Sequence, residues 1–416
     1  MSLLRLAIFS LMNRKATVIL TVLSIAFSVA LLLGVQKIQT AAKASFSNTI
    51  SGTDVIVGAR SGDIQLLLYS VFRIGNATNN MTWESYQDIA SREEVEWTVP
   101  MSLGDSHRGF RVVGTTTEFF GRYRYRRDRT LEFGEGAPFD DLFEAVVGAE
   151  VAEKLGYTVG SPITVTHGLA GAEHDNRPFR VAGVLKRTDT PVDRAVHVSL
   201  QAIEAIHVDW ASGARVEGLD IPEERVRAMN LEPKSVTAAL VGLTSRIAAF
   251  RFQRAVNEYK EEPLSAVLPG VALTRLWSLI GVAERALSAI SAMVVLTALI
   301  GLIATLLATL QERRREMAIL RANGARPMHV AGLLVAESTI LTVAGVILGT
   351  ILVYFGLTIL TPILDSRFGL SLEIEPPSPY ELGILGAIIV AGILAGCIPA
   401  WRAYKASLAD GMTIRS

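Results

Sequence analysis

One cysteine, Cys397, stands in the 416 residues. A lone thiol excludes an intrachain disulfide and leaves the redox compartment open. No lysine follows a glycine anywhere, so the chain lacks the Gly-Lys-Ser/Thr core with which a P-loop cradles phosphates. Any ATP dependence must therefore come from a separate subunit. The six histidines (107, 167, 174, 197, 207 and 329) show no HExxH or other tight metal spacing, and no GxSxG occurs. His197 and His207 read as satisfied residues of a folded domain rather than metal ligands. Net charge is lacking as well: 40 Lys and Arg balance 40 Asp and Glu. That balance gives no argument for a nucleic-acid partner. No internal repeat or low-complexity tract is visible.

Long apolar runs are what the chain does have. Half of it is hydrophobic (50%), only 19% is charged, and the mean hydropathy is +0.37. Crossing a bilayer takes about 20 mostly apolar residues in a helix, because lipid cannot satisfy backbone polar groups. Four runs qualify: 16–35, 286–310, 331–360 and 382–400. The first resembles a signal peptide, with a basic start and an Ala42-Lys43-Ala44 stretch, but its apolar core is too long and three more runs follow. It is expected to be a retained anchor. Residues 1–15 alternate apolar groups with Arg5 and Arg14, which predicts a short amphipathic helix on the inner leaflet.

Lysine and arginine near the span ends set orientation. Arg14 and Lys15 precede span one, five arginines fill 311–330, and Arg402, Lys405 and Arg415 follow span four. The loop 361–381 is acidic, with Arg367 against Asp365, Glu373, Glu375 and Glu381. Both termini (the tail being 401–416) and the arginine loop are expected in the cytoplasm, and 36–285 outside it. That outer segment alternates strand-like runs (109–114, 162–166, 178–185, 194–199, 236–243) with helical ones (82–91, 148–155, 222–229, 244–260). The fold expected is four transmembrane helices plus a large α+β extracytoplasmic domain, with stalk helices, inserted between helices 1 and 2. Within it, 104–116 is dense in polar groups. Asp105, His107, Arg108 and Arg111 there form either a ligand surface or a salt-bridged turn leading into a strand.

The stretch 311–327, "QERRREMAILRANGARP", places Arg313, Arg314, Arg315 and Glu316 ahead of an apolar step containing Met317, Ile319 and Leu320. Arg321, the helix-stopping Gly324 and Ala325 follow. Arginines alone would serve to hold a loop inside and to reach lipid headgroups. The apolar knob in a charged collar also suits a docking plug for a soluble partner, and the residues by themselves leave both readings open. Glu337 lies at the near end of span three, where an ionisable group has either a structural partner such as Arg321 or Arg326 or a coupling or transport role. Gly345-x-x-x-Gly349 and Gly392-x-x-x-Gly396 put small residues on one face of spans three and four, suited to close helix packing. No span carries a row of polar residues that would make an aqueous path, which argues against a channel or secondary transporter.

Residues 312–349, "ERRREMAILRANGARPMHVAGLLVAESTILTVAGVILG", resemble the FtsX/MacB-type ABC transporter permeases, the family that includes the lipoprotein-releasing permeases. Arg313, Arg315, Glu316, Ile319, Leu320, Arg321, Ala322, Gly324, Ala325 and Glu337 match its pattern, and the order of spans and outer domain is that family's. Residues 146–165 look like its periplasmic core segment. In the tail Pro399, Ala400, Arg402 and Ala403 fit, whereas Leu408 stands where the family has proline. The resemblance implies a non-catalytic permease subunit of the bacterial inner membrane, with the large domain periplasmic. It binds no cofactor itself. ATP and Mg belong to a separate ABC ATPase, present in two copies on a permease dimer and docked on the loop after span two. Transport of a lipoprotein, peptide, drug or siderophore, with a periplasmic adaptor or lipoprotein as further partner, is one implied role. The other is a non-transporting regulator that activates a periplasmic enzyme such as a cell-wall hydrolase.

Overall fold

A computed structural model describes residues 3–126, 128–167, 178–211, 214–215, 221–312, 319, 321–322, 325–368 and 376–405. The chain divides into two units, one made of 1–42 with 281–416 and the other of 43–280.

The first unit is a helical bundle. A short helix, Leu3–Met12, precedes four helices long and apolar enough to cross a membrane: Lys15–Thr49, Pro269–Glu312, Pro327–Phe368 and Pro379–Lys405. They are called here the first to fourth span helices. The first continues past 35 and the second begins before 286, through the residues read from sequence as stalk helices. At 1.5 Å per residue the 44-residue second helix is about 66 Å long, twice the hydrocarbon thickness. The third reaches Phe368, into the region read from sequence as a loop. Its core joins Ile25, Val29, Leu299, Leu302, Leu341, Val353 and Ile388. Large apolar side chains also cover the outside: Leu20, Phe27, Met293, Ile300, Phe355 and Leu394 are all more than 60% exposed. An apolar exterior on this scale fits hydrocarbon as the solvent. Several hydroxyls turned inward bond to their own helices. Thr21, Ser28, Ser291 and Thr342 each donate to the carbonyl four residues earlier, at 2.7–2.9 Å.

The second unit is sheet-rich. Its main strands are β1 (Val55–Ala59), β2 (Val95–His107), β3 (Phe110–Thr115), β4 (Phe133–Gly136), β5 (Glu144–Val147), β6 (Phe179–Leu185), β7 (Ala195–Ser199), β8 (Ala238–Leu243) and β9 (Leu264–Val267). They pair in the order β9-β1-β8-β2-β3-β7-β5-β6-β4, with two short strands at the side completing an 11-stranded sheet. β3–β7 and β5–β6 are parallel and the other pairings are antiparallel. Strands β1 and β8 are buried along their whole length, which is why their sequences run continuously apolar instead of alternating.

β2 is the strand that the sequence hides. Residues 95–101 pair with β8, while 102–107 pair with β3, and a bulge falls between Leu103 and Ser106. A strand that changes neighbours halfway does not alternate cleanly, and it contains Pro100 and Asp105 besides. Arg108 (φ 46°) and Gly109 (φ 86°) then form the two-residue turn into β3. Two consecutive positive φ values match the right-handed twist of a hairpin, and glycine takes the second at no steric cost. The polar stretch 104–116 is therefore a hairpin. His107 is buried; its Nδ1 donates to the Thr164 carbonyl (2.5 Å) and its Nε2 accepts from the Tyr157 hydroxyl (2.9 Å). Asp105 is buried 3.6 Å from His207 Nε2. Most of that stretch is hairpin structure. Gly104 and Arg111 line a cavity.

His197 departs from the expectation of a satisfied side chain. It is fully buried and stacked on Phe119 with ring centroids 5.1 Å apart, and among the described residues the Val146 backbone is a polar neighbour of its ring without reaching good hydrogen-bond geometry. Burial, with the nearby Arg73 charge adding to it, pushes its pKa down to about 3.

Candidate functional site at one end of the helical bundle

The functional expectation centres on the segment between the second and third span helices. Arg313, Arg314, Arg315, Glu316, Met317, Leu320 and Gly324 lie outside the described residues. Ile319 is helical and 55% exposed, Arg321 is helical and half-buried, and Ala325 precedes the third span. The third span starts at Pro327, whose fixed φ suits the first turn of a helix and whose missing N–H would be unpaired there anyway. The Arg326 N–H donates to His329 Nδ1 at 3.1 Å, so the imidazole caps this turn through an unprotonated nitrogen.

A polar cluster near Glu312 joins four helices. Glu337, 3% exposed on the third span, accepts a 2.5 Å hydrogen bond from Ser10 Oγ of the helix Leu3–Met12. That short helix, read from sequence as lying on lipid, turns Ala7 and Ser10 toward the bundle while Ile8, Phe9 and Met12 stay exposed. Arg14 Nη1 lies 3.7 Å from Glu312 Oε2 at the end of the second span. A cavity of about 20 Å³ lies among Ser10, Arg14, Thr17, Thr305, Thr309 and Glu337. That is space for one water, and the hydroxyls around it could hold one. The cluster thus ties the amphipathic helix and the ends of the first, second and third spans together near Glu312. Sequence reasoning named Glu337 but missed Ser10, Arg14 and Glu312. The signal available was Ser10, a hydroxyl on the otherwise apolar run of 6–12.

The four glycines set the helix packing. A Cβ on Gly345 would lie 2.6 Å from Ile25, and one on Gly349 2.6 Å from the Ala26 carbonyl oxygen. On the fourth span, a Cβ at Gly392 would lie 2.2 Å from Thr342 Oγ1, and at Gly396 1.9 Å from Ser338 Oγ. One turn up the third span moves one turn up the first, so these two run parallel. One turn up the fourth moves one turn down the third, so these two run antiparallel. Only glycine permits such approaches. At the other end of the bundle Lys37 Nζ meets Glu381 Oε2 at 3.1 Å, joining the first and fourth spans. Glu381 also caps its own helix by accepting from the Ser378 N–H at 2.7 Å.

Among the described residues no group of His, Cys, Asp and Glu is placed to hold a metal ion. The contacts of the bundle site join helix ends.

Comparison with known proteins follows the same division. The MacB-like periplasmic core domain family matches residues 18–238, and the FtsX-like permease C-terminal family matches 288–408. The macrolide export ATP-binding/permease protein MacB of Nitrobacter winogradskyi is 24% identical over 418 residues, 93% of this chain and 56% of that protein. The pyoverdine export ATP-binding/permease protein PvdT of Pseudomonas syringae pv. tomato is 23% identical over 334 residues, 78% of this chain and 47% of that protein. The chain spans about half the length of these curated relatives. The periplasmic region of MacB from Actinobacillus actinomycetemcomitans overlaps 55% of this chain and 94% of its own, at a TM-score of 0.33 and 11% identity.

Proposed function

The chain belongs to the FtsX-like permeases that carry a MacB-like periplasmic core domain, and we propose that it is the mechanical half of an ABC exporter. A separate ATPase, holding ATP and Mg, docks on the cytoplasmic loop 311–330. The apolar step of Met317, Ile319 and Leu320 enters a groove on that ATPase, and Arg313, Arg314, Arg315 and Arg321 frame it. Two permease copies engage two ATPase copies, so that nucleotide binding draws the loops together. Both termini face the cytoplasm of a bacterial inner membrane, following the arginine bias of the short loops.

One observation carries this reading: the second span helix runs unbroken from Pro269 to Glu312. It begins within the sheet-rich unit and ends at the docking loop, so a push at the loop has a continuous helix to travel along. The Ser10–Glu337 and Arg14–Glu312 contacts support it by making the helix ends respond together. Thr21, Ser291 and Thr342 inside the bundle bond to carbonyls of their own helices, and the polar ties between helices lie toward its ends, which favours work done on the outer domain over passage through the bundle. The relatives named for macrolide and pyoverdine export support a drug or siderophore as cargo, and a periplasmic adaptor is the further partner we propose.

The test is ATP hydrolysis by the co-expressed ATPase. Reversing charge at Arg313 and Arg315, or making Leu320→Asp, should cut permease-stimulated hydrolysis at least tenfold while membrane insertion persists. Unchanged stimulation in both variants would overturn the docking assignment.

A further inference from the structure

The sheet-rich unit contains a cavity that the mechanical reading does not use. It measures about 170 Å³ and is lined by Tyr69, Arg73, Asn76, Leu103, Gly104 and Arg111. Gly75, Asn76 and Gly104 are exposed at its rim, so it opens to solvent. Its volume corresponds to a handful of waters at roughly 30 Å³ each.

Two arginines face it from different elements. Arg73 follows the helix Asp63–Ser70 and has φ 59°, a left-handed backbone that costs a non-glycine residue of the order of 1 kcal/mol. Its guanidinium donates to the Ser70 carbonyl and sits 3.6–3.7 Å from Met101 Sδ, while its Nε is buried without a partner. Arg111, the second residue of β3, donates through Nη2 to the Gly75 carbonyl at 3.0 Å. Among the described residues, no carboxylate lies within ion-pair distance of either. Burial, reinforced by the charge of Arg111, brings Arg73 down to about 10, and burial lowers Arg111 as well. A strained backbone that holds one cation against a second, with no acid to separate them, is costly to keep unless an anion is shared between the two.

We propose that this cavity is a binding site for an oxyanion, phosphate-like or carboxylate, gripped between the guanidinium groups of Arg73 and Arg111. The planar forks of arginine match such groups with paired N–H donors. The anion is either a free ion or an anionic group on a larger molecule that reaches the domain surface. The site does not depend on the role given to the membrane loop.

The experiment is calorimetric titration of the full-length protein in detergent with inorganic phosphate, against chloride at matched ionic strength, paired with thermal unfolding. Phosphate should bind saturably and raise the unfolding midpoint, whereas chloride should not. Arg111→Gln should weaken phosphate binding at least tenfold without lowering the phosphate-free midpoint. Gly104→Asp should abolish binding and raise that midpoint, because a Cβ at Gly104 meets nothing within 4 Å and the new carboxylate can pair with the arginines. Phenyl phosphate binding as tightly as phosphate assigns the site to a group on a larger molecule. Binding of inorganic phosphate alone assigns it to the free ion. Equal effects of phosphate and matched chloride, or unchanged affinity in Arg111→Gln, would overturn the proposal.

Discussion

The two units solve opposite solvent problems with one chain. In the sheet-rich unit apolar side chains go inside: β1 and β8 are buried throughout, and a buried Leu or Val contributes roughly 1.5–3 kcal/mol by leaving water. In the bundle, Leu20, Phe27, Ile300 and Phe355 point outward, and exchanging lipid for protein around a leucine gains little. Helices there are held by close approach at Gly345, Gly349, Gly392 and Gly396, and by a few polar ties at the ends. A buried polar residue therefore carries a different meaning in each. In the bundle a buried carboxylate, Glu337 or Glu381, marks a joint between helices. In the sheet a buried polar residue marks a stability cost, as at His197, or a site, as at Arg73.

The contrast breaks most sharply at the glycines. Gly396→Leu and Gly349→Leu should cost about 3 kcal/mol each through overpacking and leave the bundle unassembled. Gly356→Leu and Gly386→Leu, where a Cβ meets nothing within 4 Å, should be neutral. Size-exclusion profiles in detergent separate the two pairs. Next comes the Lys37–Glu381 joint. Both side chains are mostly buried, so Lys37→Ala strands a carboxylate and should cost about 3 kcal/mol, while Lys37→Met with Glu381→Gln should recover most of it. Thermal unfolding of the single and double variants measures the difference.

The water-exposed unit sharpens the comparison through pH. Native His197 stays neutral to about pH 3, whereas the unfolded side chain takes a proton near 6.5. The unfolded state binds more protons across that window, so acidification from 6.5 toward 3 lowers stability by the order of a few kcal/mol. His197→Phe should flatten this acid loss. Asp193 works in the other direction: burial raises it to about 6, against hydrogen bonds from Thr188 and Asp189, so the native state takes up its proton first between about 6 and 3.8 and gains stability there. Asp193→Asn should therefore steepen the acid loss, read as unfolding midpoints from pH 7 to 4. The smallest effect belongs to the surface. Arg227 grips Asp141 with two hydrogen bonds of 2.6 and 2.8 Å and holds its carboxyl at about 2. Both groups are well exposed, so solvent screening limits Arg227→Ala to about 1 kcal/mol or less at neutral pH. Even in the parent that contribution disappears as pH falls from 3.8 through 2.

Legibility followed the same division. The spans were plain in the sequence because a bilayer imposes a contiguous apolar run. The residues flanking them, such as Gln36, Lys37 and Thr274, are merely helix-compatible and read as stalk helices, whereas the reach of the third span to Phe368 was not legible, because 361–368 carries Asp365 and Arg367. The buried strands β6, β7 and β8 stood out as short apolar runs. β2 did not, because its two halves serve different neighbours. The bundle site was half visible. Glu337 attracts notice as a charge in an apolar run, but its partner Ser10 is 327 residues away and has no local signature. The Arg73–Arg111 pair was equally hidden, since the two arginines come from separate elements 38 positions apart and meet at one cavity only in the folded domain.

In the proposed mechanism nucleotide binding in a partner ATPase moves the outer domain through the second span helix. Spin labels at Ser278→Cys, in a Cys397→Ser background, test it by distance measurement between the two permease copies of the complex. Ser278 is exposed on that helix within the sheet-rich unit. The account predicts a label separation that changes when a non-hydrolysable ATP analogue binds, and a change abolished by Leu320→Asp. A single distance distribution, the same with and without nucleotide while the ATPase remains bound, would contradict it.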